Sequence, residues 1–236
     1  MGLDLGPFIL DMGVIDDPLY SVVMPVFCEG ANLQGIVREV SQSLDKAGVR
    51  HQLVLVDDGS PDETWAVIKD LAKENAAVCA VRLSRNFGKE LALCAGMETA
   101  AGDAVIVMDA DGQHPPALLP AMIDSWRTSG AEIVEGIKTH RGKETIFNKV
   151  TAATFYLIWN KLSGFELRGA SDFKLLSRRA VKAYLAMQDR NVFFRGMTAW
   201  IGFKRAHVPF EVAARSGGRS GWSVFRLIKL ALNGIT

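Results

Sequence analysis

The sequence predicts an α/β fold: a doubly wound, mostly parallel sheet with helices on both faces. Apolar runs of strand length alternate with amphipathic helical stretches from residue 20 to residue 137, which is the signature of βαβ units. Some runs, such as residues 105–108, are uninterrupted, as in parallel strands covered on both faces. Acidic residues stand at the carboxyl ends of several runs, and in open α/β sheets that is the edge where ligands gather.

Residues 1–19 read as an N-terminal arm, without the basic region and long apolar core of a secretory signal. Residues 21–26 are the first expected strand. Leu33, Ile36, Val37, Val40 and Leu44 then recur at helical spacing until Gly48 closes the helix. Residues 53–56 are the second strand. Ser60, Pro61 and Glu63 predict a helix capped by Ser60, with proline in its first position and glutamate three residues after the cap. Trp65, Ile68 and Leu71 lie along that helix. A third strand over 78–83, a third helix over 89–101, a fourth strand over 105–108, a helix after Pro116 and a fifth strand over 133–137 follow, joined by right-handed crossovers.

Beyond Gly142 the regularity breaks. Residues 148–162 are apolar on most sides and predict a helix that is buried or lies against something greasy. A short strand over 173–176, a helix from Arg178, an aromatic segment over 193–200 and a strand over 205–212 come next. The glycine-rich stretch 215–223 precedes an amphipathic basic run.

Composition narrows the function classes. With 236 residues, 49% of them apolar, the chain can bury one sizeable core. Lys plus Arg number 27 against 26 for Asp plus Glu, so bulk charge argues for neither a nucleic-acid partner nor an acidic tail. Cys28, Cys79 and Cys94 are odd in number and lack metal-like spacing, which predicts reduced core thiols and no structural disulfide. No uninterrupted apolar run reaches the roughly twenty residues that a spanning helix needs. The absence of GxGxxG at the first helix and of GxxxxGK[ST] anywhere disfavours a dinucleotide dehydrogenase and a P-loop NTPase.

The chemistry concentrates in residues 105–116, VIVMDADGQHPP, where the apolar run stops at Asp109 and Asp111 and then turns at Gly112 and Pro115–Pro116. Two carboxylates one residue apart at a bend suit Mg²⁺ or Mn²⁺, which prefer oxygen ligands and leave positions open for phosphate oxygens. An acidic turn at a helix start is the plainer alternative. Glu29 follows the first strand, Asp57 and Asp58 end the second, and Arg85 and Lys89 follow the third, so a single cleft would collect them.

PVFCEGANL at 25–33, LVDDGSPDET at 55–64, LSRNFGKE at 83–90, MDADGQHPP at 108–116 and GASDFKLLSRRAV at 169–181 together resemble family 2 inverting glycosyltransferases. The similarity runs from Tyr20 to the C-terminus and is strongest to the polyprenyl-phosphate branch, that of dolichol-phosphate mannose synthase and the bactoprenol glucosyltransferases. The resemblance implies a GT-A fold and a nucleotide-diphospho-sugar donor, UDP-glucose being favoured. It further implies a polyprenyl-phosphate acceptor at the cytoplasmic face of the membrane. Pro25, Phe27, Glu29 and Asp58 would line the nucleoside, with Lys89 in the same donor site. Asp109, Ala110, Asp111 and Gln113 would hold the diphosphate and metal, Asp109 and Asp111 being the metal ligands. Phe27–Cys28 stands where the family has Tyr-Asn, removing a phenolic hydroxyl and an amide, and Gly112 replaces the usual Leu.

The stretch 215–223 resembles the family's Arg-x-x-Gly-x-Ser-Lys-Tyr loop, with Arg215, Gly218 and Ser220 in register and Gly221–Trp222 replacing Lys-Tyr. Arg215 and Arg219 are expected to close over the diphosphate, since guanidinium groups bind phosphate oxygens bidentately, and Ser220 to join the donor site. A flexible linker would have the same composition. Asp172 is the residue the resemblance marks as general base. A phosphate acceptor is already largely ionised near neutral pH, its second pKa being about 6, so Asp172 is expected instead to position the acceptor or a basic partner such as Arg168 or Lys174. Phe225, Leu227, Ile228, Leu230 and Leu232, interspersed with Arg226 and Lys229, predict a short helix over 223–236; composition alone favours an ordinary surface helix with a core face, and the resemblance implies one at the membrane interface. Residues 20–222 would then form the catalytic domain, and the branch's transmembrane helices are expected to be missing from the chain. A transferase using a soluble glycan or protein acceptor, a catalytically silent sugar-nucleotide-binding module, and a homo-oligomeric form of any of these are the alternatives.

Overall fold

A computed structural model describes residues 17–138, 171–187 and 194–210. Its strands are β1 (Leu19–Val26), β2 (Arg50–Asp57), β3 (Val78–Arg82), β4 (Ala104–Val107), β5 (Ile133–Lys138), β6 (Lys174–Ser177) and β7 (Arg205–Phe210). Helices α1 (Gly30–Lys46), α2 (Thr64–Glu74), α3 (Lys89–Thr99), α4 (Leu119–Ser129), α5 (Arg178–Ala186) and α6 (Phe194–Trp200) lie between them, with a 3₁₀ turn at Pro116–Leu118 leading into α4. The strands form one sheet in the order β3-β2-β1-β4-β6-β5-β7. Among the described strands only β6 runs against the others, pairing antiparallel with β4 and β5. The expected mostly parallel sheet with helices on both faces is therefore present.

Alternation along the strands divides the core into two layers. Val22, Met24, Leu53, Leu55 and Ile106 face Leu33, Val37, Val40, Leu44, Ile68 and Trp126 of α1, α2 and α4. Val23, Val54, Val56, Val105 and Val107 face Leu93, Met97, Val181, Tyr184 and Phe194 of α3, α5 and α6. The second layer is tight where α3 crosses the sheet: a Cβ on Gly96 would sit 2.4 Å from Val23 Cγ1 and 3.0 Å from Val56 Cγ2. Gly96→Ala is expected to cost about 1–3 kcal/mol through overpacking, read as a lower thermal midpoint; an unchanged midpoint would contradict this packing.

Register places the site. Val26 of β1 lies opposite Asp57 of β2, so these strands end together, while β4 stops at Val107 opposite Val23 and leaves Asp109 and Asp111 beyond its end at the same edge. Because β6 is antiparallel, its beginning rather than its end reaches that edge, and Asp172 arrives there just before the strand starts. Strand topology thus adds a fourth acidic segment to the same rim.

Two local expectations fail. Ser60 does not cap α2, which begins at Thr64. Ser60 is instead drawn into the loops, its Oγ accepting from Cys28 N at 3.0 Å and its own N–H donating to Asp57 Oδ1 at 2.9 Å. Cys28 is an exposed residue with φ of 57° at the turn after β1, and is no core thiol; Cys79 and Cys94 are half-buried, and all three are free. The expected helix over 148–162, the arm up to residue 16, Arg168 and the segments 215–223 and 223–236 lie outside the described residues. Among the described residues no helix is long and apolar enough to cross a membrane.

Candidate active site

A cleft of about 350 Å³ opens over the carboxyl ends of β1, β2 and β4. It brings together Pro25, Phe27, Glu29, Asp58, Lys89, Asp109, Ala110 and Asp111, and is lined also by Val26, Asn86 and Gly88. Gln113 is not among the lining residues. Its backbone N–H donates to Asp111 Oδ1 at 2.9 Å and its side-chain amide contacts Asp111 Oδ2, so it holds a carboxylate rather than facing the cleft itself. Gly112 between them has φ of 76°, a left-handed turn that the family's usual leucine would adopt only under strain.

The floor of the cleft is built by Asp58, buried at the end of β2. Its two oxygens accept from Phe87 N at 2.8 Å and Gly88 N at 2.9 Å, fastening the loop between β3 and α3 across the strand ends. That loop comes so close to Gly59 that a Cβ there would meet the Arg85 carbonyl carbon at 2.4 Å. Asp109 is fixed from behind by buried His114, whose Nδ1 accepts the Asp109 N–H at 2.9 Å and whose ring stacks on Phe173. An accepting Nδ1 requires neutral imidazole, and burial lowers the His114 pKa in agreement.

The fastened loop delivers Lys89 at the start of α3, with its ammonium 2.6 Å from Asp109 Oδ1 and 2.8 Å from Asp172 Oδ2. Burial opposes that charge, but the two carboxylates outweigh it and raise the Lys89 pKa. Asp172 is also gripped by Arg195 of α6, with Nε at 2.6 Å from Oδ1 and Nη2 at 2.9 Å from Oδ2. Burial pushes the Asp172 carboxyl up, yet Arg195 and Lys89 together hold it well below the usual carboxylate range. Among the described residues the basic partners of Asp172 are Arg195 and Lys89. Lys174, expected as a partner, instead turns to Glu135, 2.5 Å away, because its place within β6 points it into the interior. Arg195 was missed because FFRG carries no motif; its only local signal was a cation inside an aromatic segment.

The acidic wall fits a divalent cation. Glu29, half-buried opposite Asp109 and Asp111, has its pKa pushed up to about 7 by burial and then by the charges of Asp111 and Asp109. Its Oε2 is buried without a hydrogen-bond partner. Negative charge is thus in excess there even with Lys89 at Asp109. Among the described residues no three acidic, His or Cys side chains are grouped to hold a metal ion by themselves.

Glu90, next to Lys89, takes the N–H of Phe194 at the start of α6 on Oε2 at 2.9 Å. Burial pushes its carboxyl up to about 7. A carboxyl raised on folding favours the folded state while protonated, so this contribution is complete below the unfolded pKa of about 4.3 and is lost as pH rises through 7. Glu90→Gln keeps the acceptor and is expected to flatten the fall in stability between those values, leaving the similar contribution of Glu29. Denaturant midpoints measured against pH check this; an unaltered slope would contradict it.

Comparison with known proteins agrees with the site. Residues 21–202 match the model of glycosyl transferase family 2. An uncharacterized glycosyltransferase, YkcC, of Bacillus subtilis (strain 168) is 33% identical over 218 residues, covering 92% of this chain and 67% of the relative. The prophage bactoprenol glucosyl transferase homolog of Escherichia coli (strain K12) is 35% identical over 217 residues, 92% of this chain and 71% of its own. The chain thus spans about two thirds of the length of these relatives. Among solved structures, mannosyl-3-phosphoglycerate synthase from Rubrobacter xylanophilus superposes with a TM-score of 0.62 at 18% identity, over 92% of this chain and 72% of that one. Glucosyl-3-phosphoglycerate synthase from Mycobacterium tuberculosis, in complex with Mn²⁺, UDP-glucose and phosphoglyceric acid, gives 0.59 at 20% identity, over 91% and 76%. These likenesses show the GT-A fold. From the cleft at the strand ends, the ordered motifs around it and the family match over most of its length, the chain belongs to glycosyl transferase family 2 and is a glycosyltransferase.

Proposed function

We propose that the chain transfers glucose from UDP-glucose to the phosphate of a polyprenyl phosphate, with inversion and with a divalent cation. The observation that carries this reading is the state of Asp172. Both of its oxygens are bound by cations and its carboxyl is held ionised, which makes it a weak proton acceptor. A hydroxyl acceptor needs a base to take its proton. A phosphate brings no proton that must leave near neutral pH, its second pKa being about 6. Relatives 35% identical over 92% of this chain are named bactoprenol glucosyl transferases, which supports the same acceptor class and the glucosyl donor.

In this reading an acceptor phosphate oxygen attacks the anomeric carbon, the bond to the diphosphate breaks on the opposite face, and UDP leaves. Pro25, Phe27, Glu29 and Asp58 border the nucleoside end of the cleft. Lys89 and Arg195 hold Asp172 in place and bring positive charge to the side where the acceptor phosphate enters. Asp109 and Asp111 would hold Mg²⁺ or Mn²⁺, which when bound would supply positive charge against a departing diphosphate. Arg215, Arg219 and Ser220 belong to the proposal as the loop closing over the donor, residues 20–222 as the catalytic domain and 223–236 as its contact with the membrane surface.

Radiolabelled UDP-glucose, incubated with the protein, Mn²⁺ and polyprenyl phosphate, is expected to yield label in the organic phase. Label transferred only to a soluble glycan or protein, or bound donor with no transfer to any acceptor, would overturn the proposal.

A further inference from the structure

Helix α6 brings Arg195 to Asp172, and its seven described residues are too few to be stable from their own hydrogen bonds. Phe194 packs it into the core beside Tyr184, and polar tethers add direction to that packing. Two lie at the cleft: Glu90 on the Phe194 N–H, and Asp172 on Arg195. The third comes from inside the sheet. Lys174 of β6, fully buried, donates to Glu135 Oε1 on β5 at 2.5 Å and to Thr198 Oγ1 on α6 at 2.8 Å. Thr198 in turn donates to the Phe194 carbonyl at 2.7 Å, and the Lys174 ammonium lies 5.9 Å from the centre of the Phe194 ring. Glu135 and Lys174 are cross-strand neighbours, and Glu135 and Thr198 are each less than a tenth exposed.

Stability alone does not favour such a trio. Replacing a buried ion pair with apolar side chains of similar volume is often neutral or stabilising, because two charges need not then be desolvated. What the pair supplies is direction: the ammonium can satisfy Glu135 and Thr198 together only with α6 in one rotation and one height above β6. Asp172 lies two residues before Lys174, so the segment that receives Arg195 and the strand that fixes Thr198 are continuous.

We propose that Glu135, Lys174 and Thr198 are positioning residues for glycosyl transfer, setting α6 so that Arg195 and Asp172 meet in the geometry the acceptor requires. None of the three touches the cleft. The inference rests on the role given above to Asp172.

Three variants of the full chain test it, with Asp172→Asn measured beside them for UDP-glucose and polyprenyl phosphate. Thr198→Val removes the hydroxyl at nearly constant volume and leaves the buried charges paired. It is expected to lower kcat at least tenfold, with the donor KM and the thermal midpoint close to those of the parent. Thr198→Ser restores the hydroxyl and should recover kcat to within about threefold. The paired replacement Glu135→Leu with Lys174→Met also removes the carboxylate near the partly exposed Arg205 and His207; it is expected to fold and still lose kcat. Parental kcat in Thr198→Val or in the paired variant would overturn the proposal, as would a kcat loss that merely follows lowered stability or that Thr198→Ser shares. If Asp172→Asn itself keeps its activity, the reading of Asp172 falls first; if it is inactive while Thr198→Val is not, only the positioning role falls.

Discussion

Replacing Asp111 with Asn is expected to abolish transfer, by about 10³-fold or more, since a divalent cation at a leaving diphosphate supplies several kcal/mol of transition-state stabilisation. The structure gives the reason to expect so selective a result. Asp111 is exposed at the rim of the cleft, and its hydrogen bonds among the described residues go to Gln113, so its charge supports no part of the described core. The fold should survive, with a parental thermal midpoint. Donor binding should lose its Mn²⁺ dependence, because Asp109 alone, already bridged to Lys89, is left to hold the cation. Titration calorimetry with UDP, with and without Mn²⁺, measures this; binding that keeps the parental Mn²⁺ dependence would remove Asp111 from the metal site.

Asp172→Asn is expected to reduce kcat on the order of 10²-fold through lost positioning, and to do so equally at every pH where the protein is folded. The sign follows from the contacts. Arg195 and Lys89 hold the Asp172 carboxyl well below the usual range, so it stays ionised throughout the neutral region and its titration shapes no limb of the parental profile. A neutral amide leaves two cations without their shared anion, and Arg195 and Lys89 then lose their fixed separation. A pH-rate profile of the variant checks this. Strong recovery at high pH, or rescue by a more acidic acceptor, would show instead that Asp172 takes a proton.

What could be seen in the sequence was local. The run at residues 105–108 ending in Asp109 and Asp111, and the helical spacing of Leu33 to Leu44, depend on neighbours within a few turns, and the structure has these elements within one to three residues. The cleft was visible because strands in alternating α/β order must end on the same edge. Contacts between distant segments were not visible. Lys89 and Asp172 are 83 residues apart, and they meet because β6 enters the sheet antiparallel beside β4, an insertion that no periodicity announces. The same blindness misassigned Lys174, whose strand position sends it to Glu135. Ser60 shows tertiary bonding overriding a local signal: it heads a sequence that reads as a capping box, but Asp57 and Cys28 take its hydrogen bonds first. Cys28 departs from the expectation for its residue type, since a thiol is commonly buried, whereas this one is exposed in a left-handed turn after β1.

The most direct test of the proposed reaction is the anomeric configuration of its product. Donor glucose carrying ¹³C at C1, linked α in UDP-glucose, would be incubated with the protein, Mn²⁺ and polyprenyl phosphate, and the lipid fraction read by the C1–H1 and H1–H2 couplings. Single displacement by a phosphate oxygen predicts a β-linked glucosyl phosphate on the lipid; an α-linked product, or labelled free glucose with no labelled lipid, would contradict it.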